Sequence, residues 1–100
     1  MIKVNFEGYS DSEEYIDNTR IEVEDVFQTH YPDSEEETII NKEEEEFKIT
    51  FKGDWTSPED IEEGVIRDIC QSNELYCHIL IDDKTNKSYY YDEDDEFVYP

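Results

Sequence analysis

The sequence predicts an α+β domain in which a mostly antiparallel sheet carries one main helix, at about 58–70, on one face. Three observations support this prediction. Apolar and polar residues alternate at the N-terminus and again near residue 50, as they do in half-buried strands. Apolar residues between 61 and 70 instead recur at helical spacing. A length of 100 residues fits a single domain over 1–100.

The first predicted element is a strand. Ile2, Val4 and Phe6 alternate with polar residues, a period of two that places the three apolar side chains on one face. The stretch GYSDSEE that follows is rich in turn-forming residues. We therefore expect a mobile acidic loop near 8–18.

Residues 19–31 fit two interpretations. Thr19 and Glu22 form a potential capping box, and apolar residues follow them at helical spacing. The β-branched Ile21 and Val23 favour a strand instead. Between the two, we expect a strand for the first half of this segment.

A second acidic stretch precedes the second predicted strand. The sequence PDSEEETIINKEEEE predicts a mobile acidic loop near 32–46, or alternatively a charged sheet edge. Phe47, Ile49 and Phe51 then alternate with polar residues, which indicates a strand that ends at Gly53.

The stretch TSPEDIEEGVIRDIC gives the clearest helix signal. Ser57 suits the cap position, Pro58 suits the first helical position, and Asp60 stands where the acid of a capping box belongs. One apolar stripe is formed by Ile61, Val65, Ile66, Ile69 and Cys70. The stripe predicts that this helix packs on the sheet.

The last third of the chain predicts a hairpin. Residues 75–81 alternate as in a strand, the stretch DDKTNK predicts a turn, and residues 88–91 return as the paired strand. Phe97 and Tyr99 also alternate and indicate a short last strand.

Charge dominates the composition. Thirty acids against eight bases give a net charge of −22, whereas a magnitude of about 2–8 is enough to keep a small domain in solution. Sixteen acids precede residue 54 and fourteen follow from there, so we expect a negative surface on every side of the fold. Anionic membranes and nucleic acid would repel such a surface, so we expect neither as a direct partner.

The sequence offers no metal or catalytic site, and we expect no cofactor and no enzymatic activity. Cys77 and His78 are adjacent, so a strand directs them to opposite faces. Residues 82–93 resemble a calcium-binding loop in part, but Lys84 stands where a ligand belongs and Lys87 replaces the required glycine. Carboxylate pairs occur at every spacing in so acidic a chain and therefore identify no catalytic pair.

We expect a cytoplasmic protein of an AT-rich bacterium or of its phage. The N-terminus has no continuous apolar stretch and so does not resemble a signal peptide. Two cysteines are too few for a secreted disulfide scaffold. Alanine is absent, whereas residues with AT-rich codons (Ile, Asn, Lys and Tyr) are abundant.

The acidic clusters are the strongest functional candidates. Carboxylates on one face of a strand stand about 6.6 Å apart, and those on a helix face about 5–6 Å, which is the scale of phosphates along a nucleic-acid strand. Alternation leaves Tyr90 on the outer face beside the acids that follow it, and Trp55 is a second candidate ring anchor. The predicted partner-binding residues are Asp33, Glu35, Glu36, Glu37, Glu43, Glu44, Glu45, Glu46, Glu59, Asp60, Glu62, Glu63, Tyr90, Asp92, Glu93, Asp94, Asp95 and Glu96.

This combination of small size, acidity and aromatic rings resembles the acidic DNA-mimic inhibitors of phages and mobile elements. That class includes uracil-DNA glycosylase inhibitors, anti-restriction proteins and anti-CRISPR proteins. The resemblance implies an inhibitor of a basic nucleic-acid-binding protein, such as a CRISPR effector, a restriction enzyme or a DNA-repair protein. Two alternatives are an immunity protein or antitoxin that blocks a basic nuclease, and an acidic chaperone or adaptor for basic proteins. The oligomeric state stays open, a dimer included.

Overall fold

The computed structural model describes residues 1–89. Its elements in chain order are β1 (Ile2–Tyr9), α1 (Glu13–His30), β2 (Glu35–Asn41), β3 (Glu46–Gly53), a 3-10 turn (Pro58–Asp60), α2 (Glu63–Asn73), β4 (Tyr76–Ile81) and β5 (Lys84–Tyr89). The strands form one antiparallel sheet of five strands in the order β2-β3-β1-β4-β5. This is the split β-α-β arrangement extended by β5. The α+β class and the antiparallel sheet are confirmed.

The core lies between the two helices and one face of the sheet. Phe27 of α1 stacks on Phe51 of β3 with ring centroids 4.2 Å apart, and Phe6 of β1 meets Phe51 edge-on at 6.0 Å. Ile66 and Ile69 of α2 are buried in the same cluster. Burial of each such side chain contributes about 1.5–3 kcal/mol, so these contacts hold both helices on one face.

Helix α1 replaces the loop expected near 8–18 and the strand expected within 19–31, and both expectations are wrong. The helix begins after Ser12, whose Oγ accepts the backbone N–H of Tyr15 at 3.2 Å. Two glutamates in the first turn complement the helix dipole. Packing of a helical stripe on the sheet outweighs the strand propensity of its β-branched residues. The buried stripe consists of Ile16, Thr19, Val23 and Phe27.

The main helix predicted at about 58–70 is also corrected, because α2 begins later and is one of two helices. Ser57 and Asp60 form the predicted capping box, but that box closes only a 3-10 turn. Ile61 then takes an extended conformation and is 4% exposed, so its side chain enters the core. The extended residue interrupts the helix, which starts again at Glu63.

The acidic stretch 32–46 contains strand β2, which lies at one edge of the sheet. Of the two alternatives predicted for it, the charged edge is therefore the one observed. The predicted hairpin is confirmed up to Tyr89, which is buried opposite Cys77, but its turn is shorter than predicted. Residues 84–87, expected in the turn DDKTNK, belong to β5, because Asp82 and Asp83 both adopt positive φ and close a two-residue turn. The rest of the return strand and the short strand predicted at Phe97 and Tyr99 lie outside the described residues. Neither helix within residues 1–89 is long and apolar enough to cross a membrane.

Candidate functional site

One end of the sheet brings together three tyrosines from three elements. Strand β1 ends at Tyr9, Tyr15 lies in the first turn of α1, and β4 begins at Tyr76. The three rings border a cleft of about 310 Å³. The other residues that line the cleft are Gly8, Phe47, Glu74 and Leu75. We call this region the tyrosine end.

Two of the three tyrosine rings are exposed, and both are held in place by other rings. Tyr9 is 64% exposed and Tyr15 is 43% exposed. The ring of Tyr9 meets the ring of Tyr76 edge-to-face at 6.3 Å, and Tyr15 meets Phe47 in the same manner at 6.4 Å. Rings that are already ordered lose little conformational entropy when a partner covers them.

Gly8 allows the floor of the cleft to form. A Cβ atom at this position would lie 2.6 Å from Cζ of Phe47 and 2.7 Å from Cδ2 of Leu75. Both distances are far below van der Waals contact, so any larger residue displaces the two side chains. Because Gly8 has no side chain, Phe47 and Leu75 can pack directly against its backbone beneath the tyrosines.

Carboxylates surround the tyrosine end, and most of them lack a cationic partner. Glu13 pairs with Lys42 at 3.0 Å, and Glu46 lies 3.7 Å from Lys48. Within residues 1–89, ion pairs are absent from Asp11, Glu14, Glu43, Glu44, Glu45 and Glu74. All six side chains belong to exposed residues. Their charges are therefore available to a cationic partner.

Backbone hydrogen bonds fix two acidic turns side by side. The N–H of Ser10 donates to the carbonyl of Glu45 at 2.8 Å, which joins the segment before α1 to the turn between β2 and β3. Within that turn, Oδ1 of Asn41 accepts the N–H groups of Glu43 and Glu44 at 3.2 and 3.3 Å. The carboxylates of both segments thus occupy one surface.

Two of these acids occupy unusual backbone conformations. Glu45 has φ of 53° and Glu74 has φ of 55°. The left-handed region costs a residue with a Cβ about 1–2 kcal/mol, and glycine or asparagine is the usual choice there. Glutamate at both positions keeps a carboxylate at the tyrosine end at the expense of stability.

The face of the sheet away from the helices carries balanced charge. Lys48 lies 3.7 Å from both Glu7 and Glu46, and Lys52 lies 3.8 Å from Glu37. The composition predicts negative charge on every side of the fold, and this face departs from that prediction. Antiparallel pairing explains the difference, because it places lysines of β3 next to glutamates of β1 and β2.

Some acids at the opposite end of the sheet are held by partners of their own. Glu59 pairs with Lys87 at 3.0 Å, and Glu63 lies 3.6 Å from Arg67. A hydrogen bond from the Ser57 hydroxyl, followed by the interaction with Lys87, lowers the pKa of Glu59 to about 2. Such carboxylates have less of their charge available to a partner protein.

Asp60 serves the fold in a similar way. Its Oδ2 accepts the backbone N–H and the hydroxyl of Thr56 at 3.0 and 2.9 Å, and the backbone N–H of Ser57 at 3.2 Å. The bonds from Thr56, followed by that from Ser57, lower the pKa of the Asp60 carboxyl. The predicted capping role of Asp60 is thus observed.

The predicted partner-binding residues do not form one surface. Four of them, at 43–46, lie at the tyrosine end, and three, at 35–37, lie along β2. Near the opposite end of the sheet are Asp33, Glu59, Asp60, Glu62 and Glu63. Outside the described residues are Tyr90, Asp92, Glu93, Asp94, Asp95 and Glu96.

Sequence reasoning missed the ring anchors of the tyrosine end. Tyr9 and Tyr76 come close only because β1 and β4 pair, although a tyrosine at the end of each strand beside acids was a visible signal. Trp55, a candidate ring anchor, instead packs against Phe27 and Tyr31 with ring centroids 6.0 and 5.7 Å apart. It is half-buried at the margin of the core.

The remaining candidates for chemistry are metal-type clusters and the two cysteines. Within residues 1–89, no three His, Cys, Asp or Glu side chains are grouped so that they could hold a metal ion. Cys70 and Cys77 are buried free thiols. Burial, followed by a hydrogen bond with Cys70, raises the pKa of the Cys77 thiol, so it stays protonated and unreactive.

Comparisons with protein-family profiles, with curated proteins and with solved structures find no match for the chain. Its function is therefore inferred from the geometry and charge of the tyrosine end.

Proposed function

We propose that this chain is a DNA-mimic inhibitor that occupies the basic nucleic-acid-binding site of a CRISPR effector, a restriction enzyme or a DNA-repair protein. The observation that carries the proposal is the tyrosine end, where exposed rings lie among carboxylates that have no cation within the described part of the chain. A groove that binds nucleic acid offers lysines and arginines for phosphates, and apolar or aromatic groups for bases.

The carboxylates supply the attraction to such a groove. Hydrogen bonds between a carboxylate and a lysine or an arginine are charge-assisted and stronger than neutral ones. The net charge of −22 also steers a basic partner toward the chain over distances set by ionic strength. Association should therefore be fast and sensitive to salt.

The tyrosine rings supply contact area that charge alone lacks. Tyr9 and Tyr15 present rigid faces that stack on an arginine or on the apolar parts of the groove. Inhibition then needs no chemical step, because the bound chain excludes the nucleic acid from the same surface.

A second candidate function is an immunity protein or antitoxin that blocks a basic nuclease. The concentration of unpaired carboxylates at one end of the sheet favours it, because closing a single active site needs only one acidic face. A mimic of a longer duplex would also use the acids of the opposite end, such as Asp33 and Glu62.

Charge reversal at matched positions separates these functions. The first variant, Glu43→Lys with Glu44→Lys, changes the tyrosine end, and the second, Asp33→Lys with Glu62→Lys, changes the opposite end. The control, Asp25→Lys with Asp68→Lys, makes the same change of net charge at exposed helix positions. Each variant is assayed for inhibition of a nuclease or repair enzyme captured on the chain.

The proposed mimic predicts a graded loss in which both end variants weaken inhibition more than the control does. Loss of a buried charge pair costs about 2–5 kcal/mol, so the tyrosine-end variant should bind about thirtyfold more weakly or worse. A loss confined to the tyrosine end would support the immunity function instead. Equal losses in all three variants would contradict a defined site and favour an acidic chaperone or adaptor.

A further inference from the structure

Strand β2 is an edge of the sheet. In the described part of the chain it pairs with β3 alone, so the backbone groups on its other side have no strand partner. An edge strand of this kind is a template onto which another extended chain can add. Natural sheets usually protect such edges with charges, and the glutamates at 35–37 do so for the first half of β2.

The second half of β2 is instead apolar and exposed. Ile39 is 52% exposed and Ile40 is 44% exposed. The two side chains point to opposite faces of the sheet, since Ile39 stands opposite Lys48 and Ile40 opposite Phe47. An added strand would therefore find an aliphatic neighbour on each face.

A groove runs between this strand and helix α1. It has a volume of about 490 Å³. The residues that line it are Glu13, Glu14, Ile16, Asp17, Arg20, Thr38 and Ile40. Arg20 already binds Asp17 at 2.8 Å and Glu24 at 2.9 Å. The groove thus has an apolar wall, formed by Ile16 and Ile40, and an acidic rim. Of the rim acids, Asp17 is paired with Arg20 and Glu13 with Lys42, whereas Glu14 has no ion pair in the described part of the chain.

We propose that the β2 edge binds an extended, basic segment of a partner protein, which adds to the sheet as a further strand. The segment's aliphatic side chains would pack on Ile39 and Ile40, and its lysines or arginines would face the acids of the groove rim. Charge complementarity selects this occupant over a second copy of the chain, because two copies would each bring a net charge of −22. The inference goes beyond the proposed function, since it requires a basic segment whether or not that segment belongs to a nucleic-acid-binding protein.

A peptide tests this directly. The probe is a labelled seven-residue peptide, the length of β2, with two adjacent valines at its centre, one for each face of the sheet, and lysines at the flanking positions. Its control is the same peptide with an N-methyl group on every backbone nitrogen, which keeps the charge but removes the N–H donors from both edges of the strand. Fluorescence anisotropy should show the control binding about tenfold more weakly or worse, because it loses all of its backbone N–H hydrogen bonds to β2. Hydrogen exchange at amides of β2 should slow only with the unmodified peptide.

Variants of the chain locate the binding site. Ile39→Ser with Ile40→Ser should weaken binding of the peptide, whereas Ile21→Ser should not. Ile21 is a matched control because it is 52% exposed on α1 and does not line the groove. Circular dichroism melts show that each variant is folded before it is tested.

Three results would overturn the proposal. Equal binding of the two peptides would mean that charge alone holds them, and equal loss in the Ile21→Ser control would place the site elsewhere. Concentration-dependent dimers that the Ile39→Ser, Ile40→Ser variant abolishes would assign the edge to a second copy. These outcomes do not depend on the inhibition assay. The proposal of strand addition at β2 and the proposal of DNA mimicry can therefore be contradicted separately.

Discussion

Gly8 shows how one residue controls the site. We predict that Gly8→Ala lowers the free energy of unfolding by about 1–3 kcal/mol, because overpacking a filled space displaces its neighbours. The neighbours are ring atoms of Phe47 at 2.6 Å and a methyl group of Leu75 at 2.7 Å. Urea denaturation measures the change.

Gly64 provides the matched control for that substitution. A Cβ atom there meets no other group within 4 Å, and Gly64 lies in the first turn of α2. Gly64→Ala should raise the free energy of unfolding by about 0.4–1 kcal/mol. If Gly8→Ala raised the free energy of unfolding as Gly64→Ala does, the floor of the cleft would not be tightly packed.

Glu59 makes a residue-scale prediction about pH. Its pKa is 4.5 in an ordinary environment and about 2 in the fold. Because folding lowers this pKa, the ionised carboxylate favours the folded state above pH 4.5, and that contribution is lost as the pH falls through about 2. The melting temperature of Glu59→Gln should therefore lie below that of the parent chain at pH 7. This difference in melting temperature should disappear as the pH falls from 4.5 to about 2.

The cause of this shift can be tested separately. NMR titration should give a pKa of about 2 for Glu59. In Ser57→Ala, which removes the hydrogen bond that lowers this pKa most, the pKa of Glu59 should move up toward the ordinary value. A titration of Glu59 near 4.5 in the parent chain would contradict the assignment.

At the scale of elements, Glu45 and Glu74 add negative charge to the tyrosine end but destabilise the fold, because both have positive φ. Glu45→Gly and Glu74→Gly should each raise the free energy of unfolding by about 1 kcal/mol, because glycine adopts positive φ without strain. Each should also weaken binding of the captured partner. Chemical denaturation and binding titrations on the same variants measure both effects.

Asparagine supplies the control for these turns. Glu45→Asn tolerates positive φ and removes the charge, so it should weaken binding as Glu45→Gly does. Glu43→Gln removes a charge in the same turn at a residue without positive φ, and should leave stability nearly unchanged. If Glu45→Gly, Glu45→Asn and Glu43→Gln all bound the partner as the parent chain does, the carboxylates of this turn would not contact the partner.

The strands were easier to predict than the helices. Strands β1 and β3 follow from alternation, because each has a core face and a polar face. Helix α1 was only one of two interpretations of residues 19–31, since Ile21 and Val23 favour a strand locally and only packing on the sheet decides for a helix. The late start of α2 depends on burial of Ile61, which a capping motif in the sequence does not reveal.

At the scale of the whole molecule, the net charge of −22 opposes folding through mutual repulsion. Raising NaCl from about 0.01 M to about 0.15 M shortens the screening length from about 30 Å to about 8 Å. The melting temperature should rise by about 4–8 °C for each kcal/mol of repulsion that is relieved. The same change should weaken binding to a basic partner.

Glu43→Gln with Glu44→Gln is the control for this response. Removing two of the crowded charges should reduce the gain in melting temperature that salt produces. A melting temperature that salt leaves unchanged in the parent chain would mean that the charges stand too far apart to repel one another.

Composition predicted the total charge but not its distribution. The lysines of β3 neutralise one face of the sheet because strand pairing places them beside Glu7 and Glu37. The tyrosine end is assembled from residues as distant in sequence as Tyr9 and Tyr76. Both features depend on topology, and a sum over the sequence contains no information about which charges become neighbours.

Competition binding tests the central claim most directly. The affinity of a captured partner for its DNA is measured at increasing concentrations of the chain. If the chain mimics DNA, the apparent Kd for DNA rises in proportion to the concentration of the chain, and no ternary complex forms. A ternary complex in which the partner binds both the chain and DNA with undiminished affinities would contradict the claim.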